Sequence, residues 1–410
     1  MAAYEFDVLV VGGGPAGLSA AAAAAKGGAS VAVVERAQSI AETVRTSGVT
    51  SLQVIRDFGV PSSLYNPIRR WEVISPGFEL VLDAPEPEAC VLDVRGFYRH
   101  LAHKAASLGV EIFLGAGVNR ASYEDGKNAM RITATSHHGA LSFLGKVVVD
   151  ASGFSTIVGR SLGLAKGWER FGVGAEYEAY VENLDIESLT LMVGQKYSPA
   201  GYAWIFPTAK NRARIGVGIG RPESCADPLA QLKSLLIERP GPLMKLGRIC
   251  PLETHLGAVP SQGPREKTVS DRIILVGDSA GHLNPLLLEG IRFATRFGKM
   301  AGEAASKAIE RSGTSRAGLG SYETSWKGEV WRDFQTGLEV QREWLKMSDR
   351  EWDEELKVFD ALPANEIFEI LKCQFPIRKL LGLVAMHSEL ARTRTFSAIL
   401  RHKTKSLASA

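Results

Sequence analysis

This chain of 410 residues has no paired cysteines, no excess of charge of either sign and no uninterrupted apolar run long enough to cross a membrane. Cys90, Cys225, Cys250 and Cys373 stand far apart without a CxxC pair. That spacing fits neither a disulfide framework nor a zinc site, so no metal is expected and a reducing cytoplasm is the expected setting. A formal charge of +3 with 23% charged residues gives no sign of a nucleic-acid partner. Met1 leads directly into an apolar strand, without the basic start and cleavage site of a signal peptide, so a mature start is expected. Val8 to Ala25 is apolar, but Gly12 to Pro15 break it after one strand length, which predicts strand, turn and buried helix. What is present is a hydrophobic fraction of 45%, enough for a large core. At about 150 residues per domain, two or three domains are expected.

The turn is informative. Phe6 to Val11 is a β-branched run, followed by Gly12-Gly13-Gly14-Pro15-Ala16-Gly17, an alanine-rich helix to about Lys26 and a second strand Ser30 to Val34. In strand, GxGxxG, helix, strand order, Gly12 permits the tight turn and Gly14 lets the backbone approach a pyrophosphate, while Gly17 lets the helix pack close to the sheet. The helix N-terminus offers unpaired N–H groups and a partial positive charge to the phosphates. Glu35 ends the second strand eighteen residues after Gly17, where a carboxylate can accept both hydroxyls of an adenosine ribose.

Two later stretches extend the pattern. The buried strand Val147 to Asp150 runs into Ala151-Ser152-Gly153-Phe154-Ser155-Thr156, and the strand Arg272 to Val276 ends in Gly277-Asp278-Ser279-Ala280-Gly281, followed by Glu289-Gly290-Ile291. An aspartate directly after a buried strand sits where ligands bind in open α/β sheets, and a ribityl hydroxyl suits it. With these three motifs, residues 5 to 310 resemble the FAD-dependent aromatic hydroxylase superfamily. The resemblance implies FAD, with the ribityl chain on Asp278 and Gly281 and Gly290 close to the flavin ring and pyrophosphate. It also implies an arginine near the flavin phosphates at Arg95 and adenine beside Ala116 to Val118. The implied cofactor set is Gly12, Gly14, Ala16, Gly17, Glu35, Arg36, Ser47, Gly48, Arg95, Val118, Gly153, Asp278, Gly281, Gly290 and Ile291.

Gly201-Tyr202-Ala203-Trp204-Ile205-Phe206-Pro207, a polar turn from Lys210 to Arg214, and Ile215-Gly216-Val217-Gly218-Ile219-Gly220 predict a hairpin. Tyr202, Trp204 and Phe206 alternate onto one face, opposite glycines that leave space; the pattern suits either a packed core stripe or a long apolar slot. YxWxFP followed by GxG is similar to the signature of the geranylgeranyl reductase family, flavoenzymes that reduce carbon–carbon double bonds in prenyl chains. That resemblance implies a substrate channel at Tyr202, Trp204, Phe206, Gly216 and Gly218. The chain departs from the family at two places. Ser47, in Arg45-Thr46-Ser47-Gly48, stands where many members have a cysteine, and Leu286-Leu287-Leu288 precede Glu289 where the family usually has a glycine.

The expected fold is α/β: a Rossmann-like FAD-binding domain (1–70, 90–165 and 265–320), an inserted, mostly antiparallel β-sheet substrate domain (71–89 and 166–264), and a helical C-terminal region (321–410). Trp326, Trp331, Trp344 and Trp352 recur at helical spacing and are expected mainly to pack this tail onto the body. Phe375 to Ala410 carries Arg378, Lys379, Arg392, Arg394, Arg401, Lys403 and Lys405 against one acid, Glu389. A solvated basic helix and a peripheral membrane contact both remain open. The expected reaction is hydride transfer from reduced FAD to an isolated prenyl double bond, aligned in an apolar slot, with a proton added to the other carbon. Ser47, Tyr202 and a water are candidates for the proton source, and NAD(P)H or ferredoxin for the electron donor. The competing readings are an FAD-dependent monooxygenase or halogenase, although the WxWxIP segment of such halogenases is not found, and a non-catalytic flavin- or lipid-binding redox protein.

Overall fold

The computed structural model describes residues 3–124 and 126–408, with side chains up to 404. Two large sheets organise the molecule. In the first, the order is Val269–Ser270, Ile273–Leu275, Gly139–Asp150, Tyr4–Val11, Val31–Val34 and Glu111–Phe113. Its central strands run parallel. Their ends, Val8 to Val11, Val31 to Val34 and Val147 to Asp150, are buried throughout, as expected of strands covered on both faces. Helices Pro15–Lys26 and Ile291–Glu310 cover one face, and an antiparallel meander through Gly117–Glu124 and Ala129–Ser136 lies on the other side of the core. The two helices touch backbone to backbone, because a Cβ at Gly298 would overlap the carbonyl of Ala16 and one at Gly302 that of Ala20. Small residues at this crossing hold the first half of the first helix against the middle of the second.

The second sheet has the order Ile249–Pro260, Phe171–Val181, Arg212–Arg221, Gly201–Ala209, Ser188–Val193, Arg70–Ile74 and Glu79–Asp83. All of its pairings are antiparallel except Arg70–Ile74 with Ser188–Val193. Side chains alternate with period two. Ala175, Ala203, Ile205, Ile215, Val217 and Ile219 pack with Leu232 and Leu235 of helix Pro228–Glu238, while Tyr202, Trp204 and Phe206 face the opposite side. The turn expected from Lys210 to Arg214 is shorter than that, because Arg212 already pairs with Ala209, and Arg214 is a buried ladder residue opposite Phe206. Its charge, which marked it as turn, lies inside the protein near the carboxylates of Glu176 and Glu178 (3.8 and 3.6 Å).

Five helices follow: Arg316–Trp344, Asp349–Phe359, Ala364–Leu371, Ile377–Met386 and Arg394–Ala408. The first is capped by Ser315 and the second by a Ser348/Glu351 capping box. Trp326 is fully buried and donates to Thr268 Oγ1 (2.9 Å), and Trp331 packs beside it, so these two tie the tail to the body. Trp344 and Trp352 do something else as well: they contact each other and line a cavity. Of the seven tail cations, the side chain of Lys405 lies outside the described residues, and among the other six Lys379, Arg394, Arg401 and Lys403 are ion-paired to Glu366 and Glu369, Glu343 and Glu351, Glu343, and Asp333 respectively. The tail is therefore far less basic at its surface than its composition implies.

Candidate active site and cofactor groove

A groove of about 780 Å³ opens along the carboxyl ends of the first sheet's strands. Gly12, Gly14, Ala16, Glu35, Arg36, Val118, Gly153, Asp278, Gly290 and Ile291 all line it, although they come from segments up to nearly three hundred residues apart. Gly14 and Gly290 are the N-caps of helices Pro15–Lys26 and Ile291–Glu310; the first has no side-chain cap, while at the second Glu289 Oε1 accepts from the Arg292 N–H (3.0 Å). The start of Pro15–Lys26 therefore offers unpaired N–H groups to the groove, as an anionic ligand requires. A Cβ at Gly14 would meet nothing within 4 Å, so the empty space beside it is available to a ligand rather than to protein. Glu35 is held at its strand end by the N–H groups of Gly13 (2.6 Å) and Ala37 (2.8 Å). Asp278 lies at the groove floor, where enclosure pushes its pKa up to about 6. A carboxyl that can hold or release a proton suits a polyhydroxyl chain. On these grounds the residues present fit FAD.

Of the other expected cofactor residues, Ser47 lines a second cavity and Gly17, Gly48, Arg95 and Gly281 lie off this surface. Gly17 packs under the turn, where a Cβ would overlap the Gly12 carbonyl. Gly281 has φ +74 and turns the chain against Gly263 and Pro264. Gly48, at φ +82, leaves room for the Arg214 guanidinium. Arg95 does not line the groove; its guanidinium donates to Glu253 (2.9 Å) and to the Ala41 carbonyl (3.2 Å), which ties helix Val94–Ser107 to the second sheet. Asp150, at a strand end, accepts from Ser152 Oγ (2.6 Å), Gly159 N (2.8 Å) and Ser279 Oγ (3.2 Å), so it clamps the Gly153 turn to the Asp278 turn.

A second, mostly apolar cavity of about 260 Å³ lies between the second sheet and the tail. The two cavities share Arg45, Thr46, Leu256, Gly257, Val259, Leu288 and Gly290, and therefore meet. Ser47 and Tyr202 line the second cavity at this end, and the Tyr202 hydroxyl donates to the Leu287 carbonyl (2.5 Å). Burial raises the Tyr202 pKa well above that of a free phenol, so it is neutral. Trp71, Trp204 and Phe206 line the middle, and Trp344, Trp352, Leu356, Phe359 and Ile367 of the tail close the cavity.

The floor is a grid set by strand register. Tyr202 pairs with Gly218, Gly218 with Gly174 and Gly174 with Gly257, which makes one row across four strands. The next row is Trp204, Gly216, Glu176 and His255. The following one is Phe206, Arg214, Glu178 and Glu253. Gly218 lines the cavity, and a Cβ there would stand 3.4 Å from the Trp204 ring. Gly216 does not line it, because the indole of Trp204 lies across the place where its side chain would be. Trp204 reaches over Gly216 to donate Nε1–H to Glu176 Oε2 (3.1 Å), and His255 Nδ1 is 2.8 Å from Glu176 Oε1. Arg214 donates to the carbonyls of Ser47 (2.8 Å) and Leu92 (3.1 Å), with its Nε 3.8 Å from Glu176.

Gly174, Gly257, Glu176 and His255 were not anticipated from sequence. Gly172-Val173-Gly174 repeats the period-two glycine spacing of 216 to 220 and carried the signal for half of this floor. Nothing local marks the Glu176 and His255 pair, which are 79 residues apart. At the leucine loop, Leu288 has φ +51, the left-handed conformation that a glycine adopts freely, and it rests against Gly172 where the two cavities meet.

Residues 5–212 match the family described as FAD binding domain. Over 346 residues the chain is 35% identical to a digeranylgeranylglycerophospholipid reductase of Methanopyrus kandleri, covering 82% of this chain and 90% of that protein. Among solved structures, a geranylgeranyl bacteriochlorophyll reductase-like protein of Thermoplasma acidophilum superposes with a TM-score of 0.83 at 22% identity, covering 94% of this chain and 99% of that one. A flavin-dependent brominase superposes with a TM-score of 0.71 at 19% identity over 90% of this chain and 94% of its own, a likeness of fold.

Proposed function

The chain belongs to the digeranylgeranylglycerophospholipid reductase family of FAD-dependent oxidoreductases, and from that premise we propose that it saturates carbon–carbon double bonds in the geranylgeranyl-type chains of a prenyl lipid. The observation that carries this reading is the shared wall of Arg45, Thr46, Leu256, Gly257, Val259, Leu288 and Gly290, where an aromatic, largely apolar cavity adjoins the cofactor groove. Reduced FAD, when bound, supplies the hydride.

The protein's part is alignment and exclusion of water. An isolated alkene has no carbonyl to polarise, so its carbons must be held close to the hydride donor in a dry slot. Trp204 is locked at Nε1 by Glu176 and stacks on Phe206 (centroids 5.9 Å, planes 18° apart), giving a flat wall. Gly218, Gly174 and Gly257 leave the opposite floor free of side chains next to that wall. Glu35, Asp278 and the uncapped N-terminus of Pro15–Lys26 would hold the cofactor from the other side. The reading is tested by mixing anaerobically reduced protein with a geranylgeranyl lipid and measuring flavin reoxidation and product mass. A gain of two hydrogens per bond is expected. Reoxidation that requires oxygen, with an oxygenated product, favours the hydroxylase alternative, and no reoxidation under either condition favours a non-catalytic binder.

The position of the helix Ile377–Met386 supports, as part of the same proposal, peripheral attachment to an anionic membrane. Leu381 and Met386 are 53% and 70% exposed, and Arg378 and Arg392 have no acidic partner among the described residues. Among the described residues no helix is long and apolar enough to cross a membrane, so contact would be through this surface.

A further inference from the structure

Reduction of an alkene needs a proton as well as a hydride, and the cavity wall holds one buried group built to move it. His255 and Glu176 are both nearly inaccessible, face each other across adjacent strands and line the cavity beside Leu256 and Gly257, which belong to the junction with the cofactor groove. Oε2 of Glu176 accepts from the Trp204 indole and Oε1 lies 2.8 Å from His255 Nδ1, an arrangement that a carboxylate accepting from both partners satisfies. His255 Nε2 makes no hydrogen bond of good geometry, and its nearest partner is the Glu253 carboxylate at 3.4 Å, with which a doubly protonated ring forms an ion pair. A buried ring nitrogen with only a long contact to one carboxylate, on a ring whose other nitrogen is fixed by a second, is the arrangement of a positioned acid or base.

We propose that His255, oriented by Glu176, is the proton donor to the alkene carbon that does not receive the hydride, an assignment that rests on the prenyl reductase reading above. In this step the π pair and the incoming hydride pair become two C–H bonds. The hydride and its two electrons come from reduced FAD, and the proton leaves Nε2 of a doubly protonated His255. The histidine then holds only its Nδ1 proton and regains the other from water on the side of Glu253, whose carboxylate is 40% exposed and bridges towards Arg95. The charged groups facing the pair are Glu176, Glu178, Glu253 and Arg214, with Arg95 beyond Glu253. Trp204 thereby has two roles, one ring face for the substrate and one N–H that fixes the Glu176 carboxyl beside His255.

The competing account is that the pair only holds Trp204 in place, and Glu176→Gln separates the two. A glutamine can accept from Trp204 with its oxygen and donate from its amide to His255 Nδ1, so every hydrogen bond persists. The histidine tautomer reverses, however, and the carboxylate that supports the doubly protonated ring is gone. His255→Gln removes the acid outright. Both variants should keep FAD content, melting temperature, quenching of tryptophan fluorescence by geranylgeranyl lipid and flavin reduction by dithionite. Anaerobic reoxidation of the reduced flavin by that lipid should slow by about a hundredfold in His255→Gln and by at least tenfold in Glu176→Gln, the range of a lost general acid. Wild-type rates in either folded, lipid-binding variant overturn the assignment, and so does loss of FAD from both, which would make the pair structural. If wild-type reduced protein itself is not reoxidised by the lipid, the reductase reading fails, independently of His255.

Discussion

At the scale of single residues, two side chains sit where their chemistry is least welcome, and each leads to a measurement. His282 is buried against Phe297 and Trp326, with centroids 4.9 and 4.5 Å away, and neither ring nitrogen has a hydrogen-bond partner. Burial lowers its pKa from 6.5 to about 3, so the folded ring stays neutral where the unfolded one takes up a proton. Its contribution to stability is therefore present above about pH 6.5 and is lost as the pH falls towards 3. His282→Phe should raise the melting temperature relative to wild type by an amount that grows between pH 7 and pH 4; a constant difference would show that the ring does not titrate with folding. Leu288 is the second case. Holding a leucine at φ +51 costs about 1–2 kcal/mol, and a glycine there would relieve that cost while losing about as much through its freer unfolded chain. Leu288→Gly should leave urea stability within about 1 kcal/mol of wild type, whereas β-branched Leu288→Val should be clearly less stable. Equal losses in the two variants would show that packing against Gly172, not backbone conformation, decides the position. The leucines were visible in the sequence as a departure from the family, but their conformation was not, because a run of apolar letters carries no φ.

At the scale of elements, legibility followed sequence distance. The turn Gly12–Gly17 is a local device, so its role could be argued from strand, turn and helix alone, and the open space beside Gly14 makes a direct test: Gly14→Val should fold yet purify without yellow flavin absorbance. Full retention of flavin would remove the pyrophosphate from that helix end. The hairpin was legible as an alternation of aromatics against glycines. Yet the two glycines assigned one role have different ones, because strand register places Gly216 beneath the Trp204 indole and Gly218 at the cavity. Gly216→Ala should push the indole off Glu176 and cost about 1–3 kcal/mol of stability. Gly218→Leu has room at Cβ and extends into the cavity, so it should keep the fold and its FAD but lose turnover of a twenty-carbon chain more than that of a short prenyl analogue. Chain-length-independent loss would place the slot elsewhere. Arg214 was misread as a turn residue for the same reason that Glu176 and His255 were missed: their partners come from other strands, and only the register of the sheet brings charge together inside it.

For the whole molecule, the tail is part of the site. Asn284 Nδ2 donates to the Leu371 carbonyl (2.7 Å), and Gln341 donates to the Pro285 carbonyl, so the leucine loop is held from the tail side while Trp344 and Trp352 close the cavity. No periodicity within either segment could have shown this, since it depends on where a remote helix docks. Removing everything after Gln374 is accordingly a poor test of membrane attachment, because it strips Phe375, Leu380, Phe396 and Ile399 from the core and Thr395 from the Trp344 indole. Charge reversal is cleaner. Each cation near an anionic surface contributes about 1 kcal/mol to binding, so Arg378→Glu with Arg392→Glu should weaken sedimentation with anionic liposomes at least tenfold. Raising salt should do the same to the intact protein, since the attraction is screened within about 8 Å at physiological ionic strength. Arg401→Glu, which breaks an ion pair to Glu343 at 3.0 Å, should leave liposome binding nearly unchanged. Equal loss in both variants would mean that binding follows net charge alone, and undiminished binding by the double variant to neutral and anionic vesicles alike would take the electrostatic contact off this helix.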